Sequence, residues 1–225
     1  LGDPAARSLG PLWRIGPARS DDPAIQRLLA AARLAGWTAL ARPAGTSWVI
    51  DCNAARREGW PRASTGKRLK RIERRLAERG AVSWEIVRGA AWNDAVLADL
   101  AAVEAASWIA ARTDGSGAKF LAANQRRLWR DVTRDPVLGE MLCATILRVD
   151  GRAVAFSFDL DDGPVRYGIA GSFVGDFARN EVGKLANTRA IVDAIEAGQA
   201  LVDLGAGDSG YKAQMGAVAG YALVD

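Results

Sequence analysis

Three runs of β-type residues, Met141–Val149, Ala153–Leu160 and Val165–Ala170, are separated by the short turns Asp150-Gly151 and Asp161-Asp162-Gly163. Asp-Gly turns this short can only fold the chain back on itself, so the runs must pair as an antiparallel meander. Gly183–Ala197 then has helical spacing, and Ala200–Leu204 is a short apolar run fit for a buried strand. A meander followed by strand–helix–strand implies an α+β fold with a mixed, mostly antiparallel sheet flanked by helices. A doubly wound parallel sheet is excluded by the same order.

Upstream, Asp21–Ala35 reads as a helix, with Asp21 and Asp22 at its start, Pro23 in the first turn and Gly36 at its end. Trp37–Arg42 and Ser47–Cys52 read as two short strands around a Pro-Ala-Gly turn, and the polar stretch Asn53–Thr65 as a boundary. Residues 1–55 thus look like the closing, C-terminal part of a truncated first unit, and residues 56–225 like the main domain. Leu1 is not an initiator, so the chain is expected to be part of a longer gene product. Arg62–Arg79 carries eight basic residues against Glu73 and Glu78, while Leu69, Ile72 and Leu76 recur at helical spacing. That is an amphipathic helix with an Arg-rich face, startable at Ser64 or Thr65 and stopped by Gly80. Ala81–Arg88 alternates like a strand, and Asp94–Ala111 and Phe120–Val132 read as helices. The Gly-rich tail closes on Tyr221-Ala-Leu-Val, a further strand.

The sequence contains no histidine. Ser-His-Asp and Cys-His catalysis and His-ligated zinc are therefore excluded, and no metal site is expected. Acid–base work falls to Asp, Glu, Tyr, Lys or water. Cys52 and Cys143 each lie inside an apolar run and read as buried, reduced thiols, which suits a cytoplasmic setting. No uninterrupted apolar run reaches the roughly 18 residues of a membrane span. The net charge is +4, yet no aromatic residues interleave with the basic helix as a single-strand platform requires, so nucleic acid is not the first partner to expect.

Leu201-Val-Asp203-Leu-Gly205-Ala-Gly207-Asp208-Ser-Gly210 follows the last buried strand and contains G-x-G-x-x-G. It resembles the Asp-Leu-Gly-x-Gly opening of S-adenosylmethionine methyltransferases. Only fifteen residues follow Gly210, too few for the second βα unit such a fingerprint needs, and Asp208 repels a pyrophosphate. A plain turn whose glycines take positive φ is another reading.

A third comes from several segments taken together. Gly66-Lys-Arg-Leu-Lys-Arg-Ile-Glu-Arg-Arg-Leu-Ala-Glu-Arg-Gly80, Glu104-Ala-Ala-Ser-Trp108, Asp150-Gly-Arg-Ala-Val-Ala155, Glu181-Val-Gly183-Lys-Leu185 and Asp203-Leu-Gly-Ala-Gly-Asp208-Ser-Gly-Tyr211-Lys212 stand in order across residues 62–215. This ordered set resembles the GNAT acyltransferase superfamily, and within it the cellulose-biosynthesis (CelD/BcsL-like) branch, related to the Fem-type aminoacyl transferases. Tandem GNAT-like units in those relatives match the partial unit at residues 1–55.

The resemblance implies transfer of an acyl group from acyl-CoA, acetyl-CoA above all, to an amine or hydroxyl of a small-molecule or saccharide acceptor, with a link to polysaccharide or cell-envelope synthesis. It implies that the pyrophosphate lies at the start of the Gly183–Ala197 helix, held around Arg179, Val182, Gly183, Lys184 and Leu185. Here Gly183 fits the family pattern, a second glycine is missing, and Glu181 is unfavourable beside phosphate. Glu104 is the expected general base, with Trp108 one turn later beside the acceptor. Asp203 is expected at the acceptor and Asp208 in the chemistry. Tyr211 would protonate the leaving thiolate, and Lys212 would bind an anionic acceptor or steady the oxyanion. The alternatives are a Fem-type transferase using aminoacyl-tRNA, whose RNA the basic helix would bind, a methyltransferase, and a non-catalytic scaffold.

Overall fold

The computed structural model describes residues 12–61, 63–107, 110, 117–207 and 210–225, without the side chains of 63 and 64. In chain order the elements are β1 (Ala18–Arg19), α1 (Pro23–Leu34), β2 (Pro43–Asp51), α2 (Cys52–Glu58), α3 (Ala63–Ala77), β3 (Val82–Arg88), α4 (Asp94–Ala105), α5 (Ala123–Arg134) and α6 (Leu138–Met141). They continue with β4 (Leu142–Val149), β5 (Arg152–Asp162), β6 (Val165–Phe173), α7 (Val182–Glu196), β7 (Leu201–Ala206), α8 (Tyr211–Gln214) and β8 (Val218–Val224). Two 3-10 turns, Gly89–Ala91 and Gly175–Asn180, precede α4 and α7. The chain divides into two units, one of Leu1–Val49 with Leu204–Asp225 and one of Ile50–Asp203.

The larger unit holds the meander. Its strands lie in the order β7-β6-β5-β4-β3, antiparallel except for the parallel pair β6/β7. The mixed, mostly antiparallel sheet flanked by helices is thus as the sequence implies. Asp150 and Gly151 have φ of 49° and 77°, the double positive φ that a two-residue hairpin turn needs. The Asp150 carboxylate also accepts a hydrogen bond from the Ala81 N–H at 2.8 Å. A Cβ on Gly80 would meet that carboxylate at 2.2 Å, which is why glycine ends the basic segment.

One face of this sheet carries Phe156 and Phe158. Phe120 meets both rings edge-on, and Trp92 and Trp129 close on Phe158. Leu97, Leu100 and Val103 of α4 are buried with this cluster, and Leu69, Ile72 and Leu76 of α3, the apolar stripe expected of that helix, belong to the same hydrophobic core. The basic helix begins at Ala63, ahead of the Ser64 or Thr65 cap. The other sheet face receives α7, whose Ala186, Ala190 and Ala194 are buried.

In the smaller unit β8 lies between β1 and β2, antiparallel to both. The Pro-Ala-Gly segment read as a turn lies inside β2. The register slips between Pro43 and Gly45, making a bulge that absorbs one extra residue, and Gly45 takes φ of 105°. Trp37–Arg42 forms no strand. The polar boundary Asn53–Thr65 is helical over most of its first part, because the Asp51 carboxylate caps α2 through the Ala54 N–H at 2.9 Å.

Candidate functional site

β6 is where the sheet changes character. Its ladder with β7 consists of Val165↔Leu201, Arg166↔Val202 and Tyr167↔Asp203, and no further pair forms on that edge among the described residues. Immediately beyond, Phe158 pairs with Ala170 and Asp159 with Gly168, so Ile169 is an extra residue bulged from β6. From Gly168 to Phe173 the β6 edge therefore keeps backbone polar groups that no ladder uses.

The start of α7 is packed against this part of β6. A Cβ on Gly183 would meet the Phe173 ring at 2.7 Å, so only glycine lets the first turn sit this close. Val182 and Leu185 are buried and anchor the helix, Lys184 is half-buried and Arg179 exposed. By helix geometry the N–H groups of the first turn have no acceptor within the helix and point outward. Those of Lys184 and Leu185 are turned back onto the Glu181 carbonyl at 3.0 and 3.1 Å, leaving Val182 and Gly183 as the donors aimed away from the helix.

Two arginines from the basic segment converge here. Arg68 of α3 donates to both Glu181 carboxylate oxygens at 2.8 Å. Arg79 donates to the Asp176 carbonyl at 3.0 Å and to Asn180 Oδ1 at 3.1 Å, and its guanidinium lies 4.2 Å from the Phe177 ring centre. The acidic residue that disfavours phosphate in the sequence thus has its charge matched by Arg68. No local pattern points to this pairing, since the partners lie 113 positions apart.

Glu104, Asp203, Lys212 and Tyr211 belong to other elements. Glu104 is fully buried on α4 and accepts the Lys119 N–H at 2.9 Å and the Phe120 N–H at 2.7 Å. It ties down the segment that delivers Phe120 to the aromatic cluster. Asp203 is buried and closes the β6/β7 ladder opposite Tyr167. Lys212 is buried in the smaller unit, and its Nζ donates to the Gly205 and Ala206 carbonyls at 2.9 Å each, pinning α8 to the end of β7. Tyr211, beside it, is partly exposed. Trp108 and Asp208 lie outside the described residues. Gly205, Gly207 and Gly210 all have φ between 73° and 85°, which explains the glycine cluster as backbone geometry.

Beneath α7 the sheet buries a charge network that the sequence did not disclose. Arg166 is bidentate to Asp161 at 2.6 and 2.7 Å, and it also donates to Asp193 at 2.7 Å and to the Ala190 carbonyl at 2.9 Å. Arg88 bridges the same two carboxylates. Burial works against the Asp161 charge, but the Arg166 and Arg88 hydrogen bonds prevail and hold its pKa below the usual carboxylate range. Next to this balanced quartet, Asp159 is pushed up to about 7, chiefly by burial. It keeps one hydrogen bond, from the Ser157 hydroxyl at 3.0 Å, and its Oδ2 has no partner. Cys143, across the ladder from Asp159, and Cys52 are free and buried, and burial raises both thiols. They are inert in this state.

The sequence profile of the acetyltransferase (GNAT) domain matches residues 63–213. The chain belongs to the GNAT acetyltransferase family.

Among solved structures, this GNAT chain is similar to the C-terminal domain of a lysylphosphatidylglycerol synthetase from Agrobacterium fabrum. Identity is 16% over 89% of this chain and 70% of that one, with a TM-score of 0.58. L-PGS from Bacillus licheniformis gives 14% identity over 89% and 71%, with a TM-score of 0.58. A glucosamine N-acetyltransferase region of a fungal multi-domain β-N-acetylglucosaminidase gives 9% identity over 92% of this chain and 23% of that one, with a TM-score of 0.52. No curated protein matches the sequence. Family membership sets aside the methyltransferase alternative, and the four-residue α8 after the glycine cluster is too short for the βα unit that alternative needs. Among the described residues no helix is long and apolar enough to cross a membrane, and no cluster of three or more Cys, Asp or Glu side chains could hold a metal ion.

Proposed function

We propose that this GNAT domain transfers an acyl group, acetyl first among them, from acyl-CoA to an amine or hydroxyl of a small or saccharide acceptor. The observation that carries this reading is the end of the β6/β7 ladder at Tyr167↔Asp203, beside a bulge and the first turn of α7. A strand edge with unspent polar groups next to outward N–H donors suits an extended donor with an anionic end. The N–H groups of Val182 and Gly183, with Lys184 and Arg179, would hold the pyrophosphate, and buried Leu185 would keep the turn rigid. When bound, acyl-CoA supplies the activated thioester.

The residues of this chain then bind, orient and move a proton. Tyr211 is assigned to protonating the thiolate that leaves, Asp203 and Trp108 to the acceptor, and Asp208 to its proton. Lys212 is assigned to holding the β7 glycine turn in shape. Its bonds to two backbone carbonyls support that role better than direct contact with an anionic acceptor. Glu104 is assigned to anchoring, since both its oxygens already receive backbone N–H groups. Membership of the cellulose-biosynthesis branch, kinship with Fem-type enzymes and a polysaccharide-linked acceptor belong to the same proposal. The fungal glucosamine N-acetyltransferase neighbour is consistent with a saccharide amine.

The test is a thermal shift with acetyl-CoA against S-adenosylmethionine, followed by thiol release over a panel of amino sugars and polyols. A shift with acetyl-CoA alone and acceptor-dependent thiol release are expected, and the absence of both overturns the reading. A second reading, an aminoacyl-tRNA donor, draws on the exposed Lys67, Lys70, Arg71 and Arg74 of α3. It requires RNA binding that falls steeply with added salt.

A further inference from the structure

We propose that the Arg68–Glu181 ion pair is a latch on the phosphate end of the donor site: Arg68 leaves Glu181 for the incoming phosphate, and Glu181 sets how tightly the donor binds. The inference rests on the reading that acyl-CoA binds at the start of α7. Three observations lead to it. Glu181 is the residue immediately before α7 and takes φ of 49° and ψ of 32°. Its side chain makes no cap to the helix; its two oxygens go to Arg68 instead. Arg79 holds the preceding turn by the Asp176 carbonyl and Asn180, so the turn stays in place when Arg68 lets go.

The exchange is cheap in one direction and favourable in the other. Side-chain exposure is 47% for Arg68 and 35% for Glu181, so water already screens the pair and its loss costs little. The donor's pyrophosphate, with one negative charge on each phosphoryl group, offers the same guanidinium a bidentate, charge-assisted acceptor in place of the carboxylate. Glu181 meanwhile repels the phosphate whenever Arg68 is turned away from it. The bound state therefore uses Arg68 against the ligand and leaves Glu181 as a penalty, which weakens donor binding and speeds release of the spent thiol product.

Calorimetric titration of the full chain with acetyl-CoA, and with S-acetylpantetheine as a probe without phosphates, tests this. Glu181→Gln is expected to tighten acetyl-CoA by about three- to tenfold and Arg68→Ala to weaken it by a similar factor, the range that partly screened charge pairs produce. In the Arg68→Ala background the gain from Glu181→Gln should be smaller, since removal of the Glu181 repulsion remains but no guanidinium is freed. S-acetylpantetheine should bind all variants alike, and thermal melts should coincide because both side chains lie at the surface. If the wild type binds acetyl-CoA but Glu181→Gln does not tighten it, or the gain is undiminished without Arg68, the latch is wrong and the donor site stands. If neither wild type nor Glu181→Gln binds acetyl-CoA, the donor reading itself fails.

Discussion

Replacing Asp159 by Asn removes a carboxyl that the folded chain keeps protonated at far higher pH than the unfolded chain does. The side chain is 5% exposed and lies beneath α7, with Cys143 across from it on β4. Arg166, Asp161 and Asp193 act on it electrostatically, and because Arg88 pairs with the same two carboxylates the charges of that quartet cancel without Asp159. Burial raises its pKa from 3.8 to about 7. Between these values the unfolded chain has released the proton and the folded chain has not, so stability falls as pH rises from about 4 to about 7 and is level above. At about 1.36 kcal/mol per unit, the three-unit gap is worth about 4 kcal/mol at most. Asn imitates the neutral acid in size and shape. The variant should match wild type near pH 4 and gain progressively, up to that figure, by pH 8. Urea unfolding followed by tryptophan fluorescence between pH 4 and 8.5 measures it, because Trp92 and Trp129 both pack against Phe158. A variant no more stable than wild type at pH 8, with the same slope between pH 5 and 7, would refute the argument.

Three further outcomes follow from the same geometry. Gly183→Ala drives a Cβ into the Phe173 ring at 2.7 Å, and overpacking of this kind should cost about 1–3 kcal/mol, read as a lowered melting temperature together with weaker acetyl-CoA binding. Glu104→Gln offers a poorer acceptor to the Lys119 and Phe120 N–H groups and should cost about 1–3 kcal/mol of stability; unchanged melting with a collapse in turnover would instead restore Glu104 as the base. Tyr211→Phe should slow turnover at least tenfold while leaving acetyl-CoA affinity and melting unchanged, and wild-type turnover removes Tyr211 from the chemistry.

What the sequence disclosed and what it hid divide by distance along the chain. The meander was legible because Asp150 and Gly151 fix a turn whose geometry depends on two adjacent residues. The α3 stripe was legible because Leu69, Ile72 and Leu76 repeat at the period of one helix. β2 was misread for the converse reason: Pro-Ala-Gly favours a turn locally, but pairing with β8 turns it into a bulge. The same limit governs the site. Gly183 could be found by pattern, yet what it makes room for, the Phe173 ring, is visible only after β6 and α7 are packed. Glu104 had the composition of a base, and its buried oxygens are spoken for by a loop fifteen residues on.

The two features that most alter the chemistry depend on distant residues: Arg68 meets Glu181 across 113 positions, and the quartet around Arg166 brings Arg88 and Asp193 together across 105. Both show this chain placing cations where its own carboxylates would otherwise work against the fold or the donor. In the quartet Arg166 is fully buried, so removing Asp161 or Asp193 strands its charge, and those pairs stay fixed. At Glu181 the pair is wet, so the cation can be exchanged. Burial separates the fixed pairs of Arg166 from the water-screened Arg68–Glu181 pair, which we propose as an adjustable charge at the start of α7.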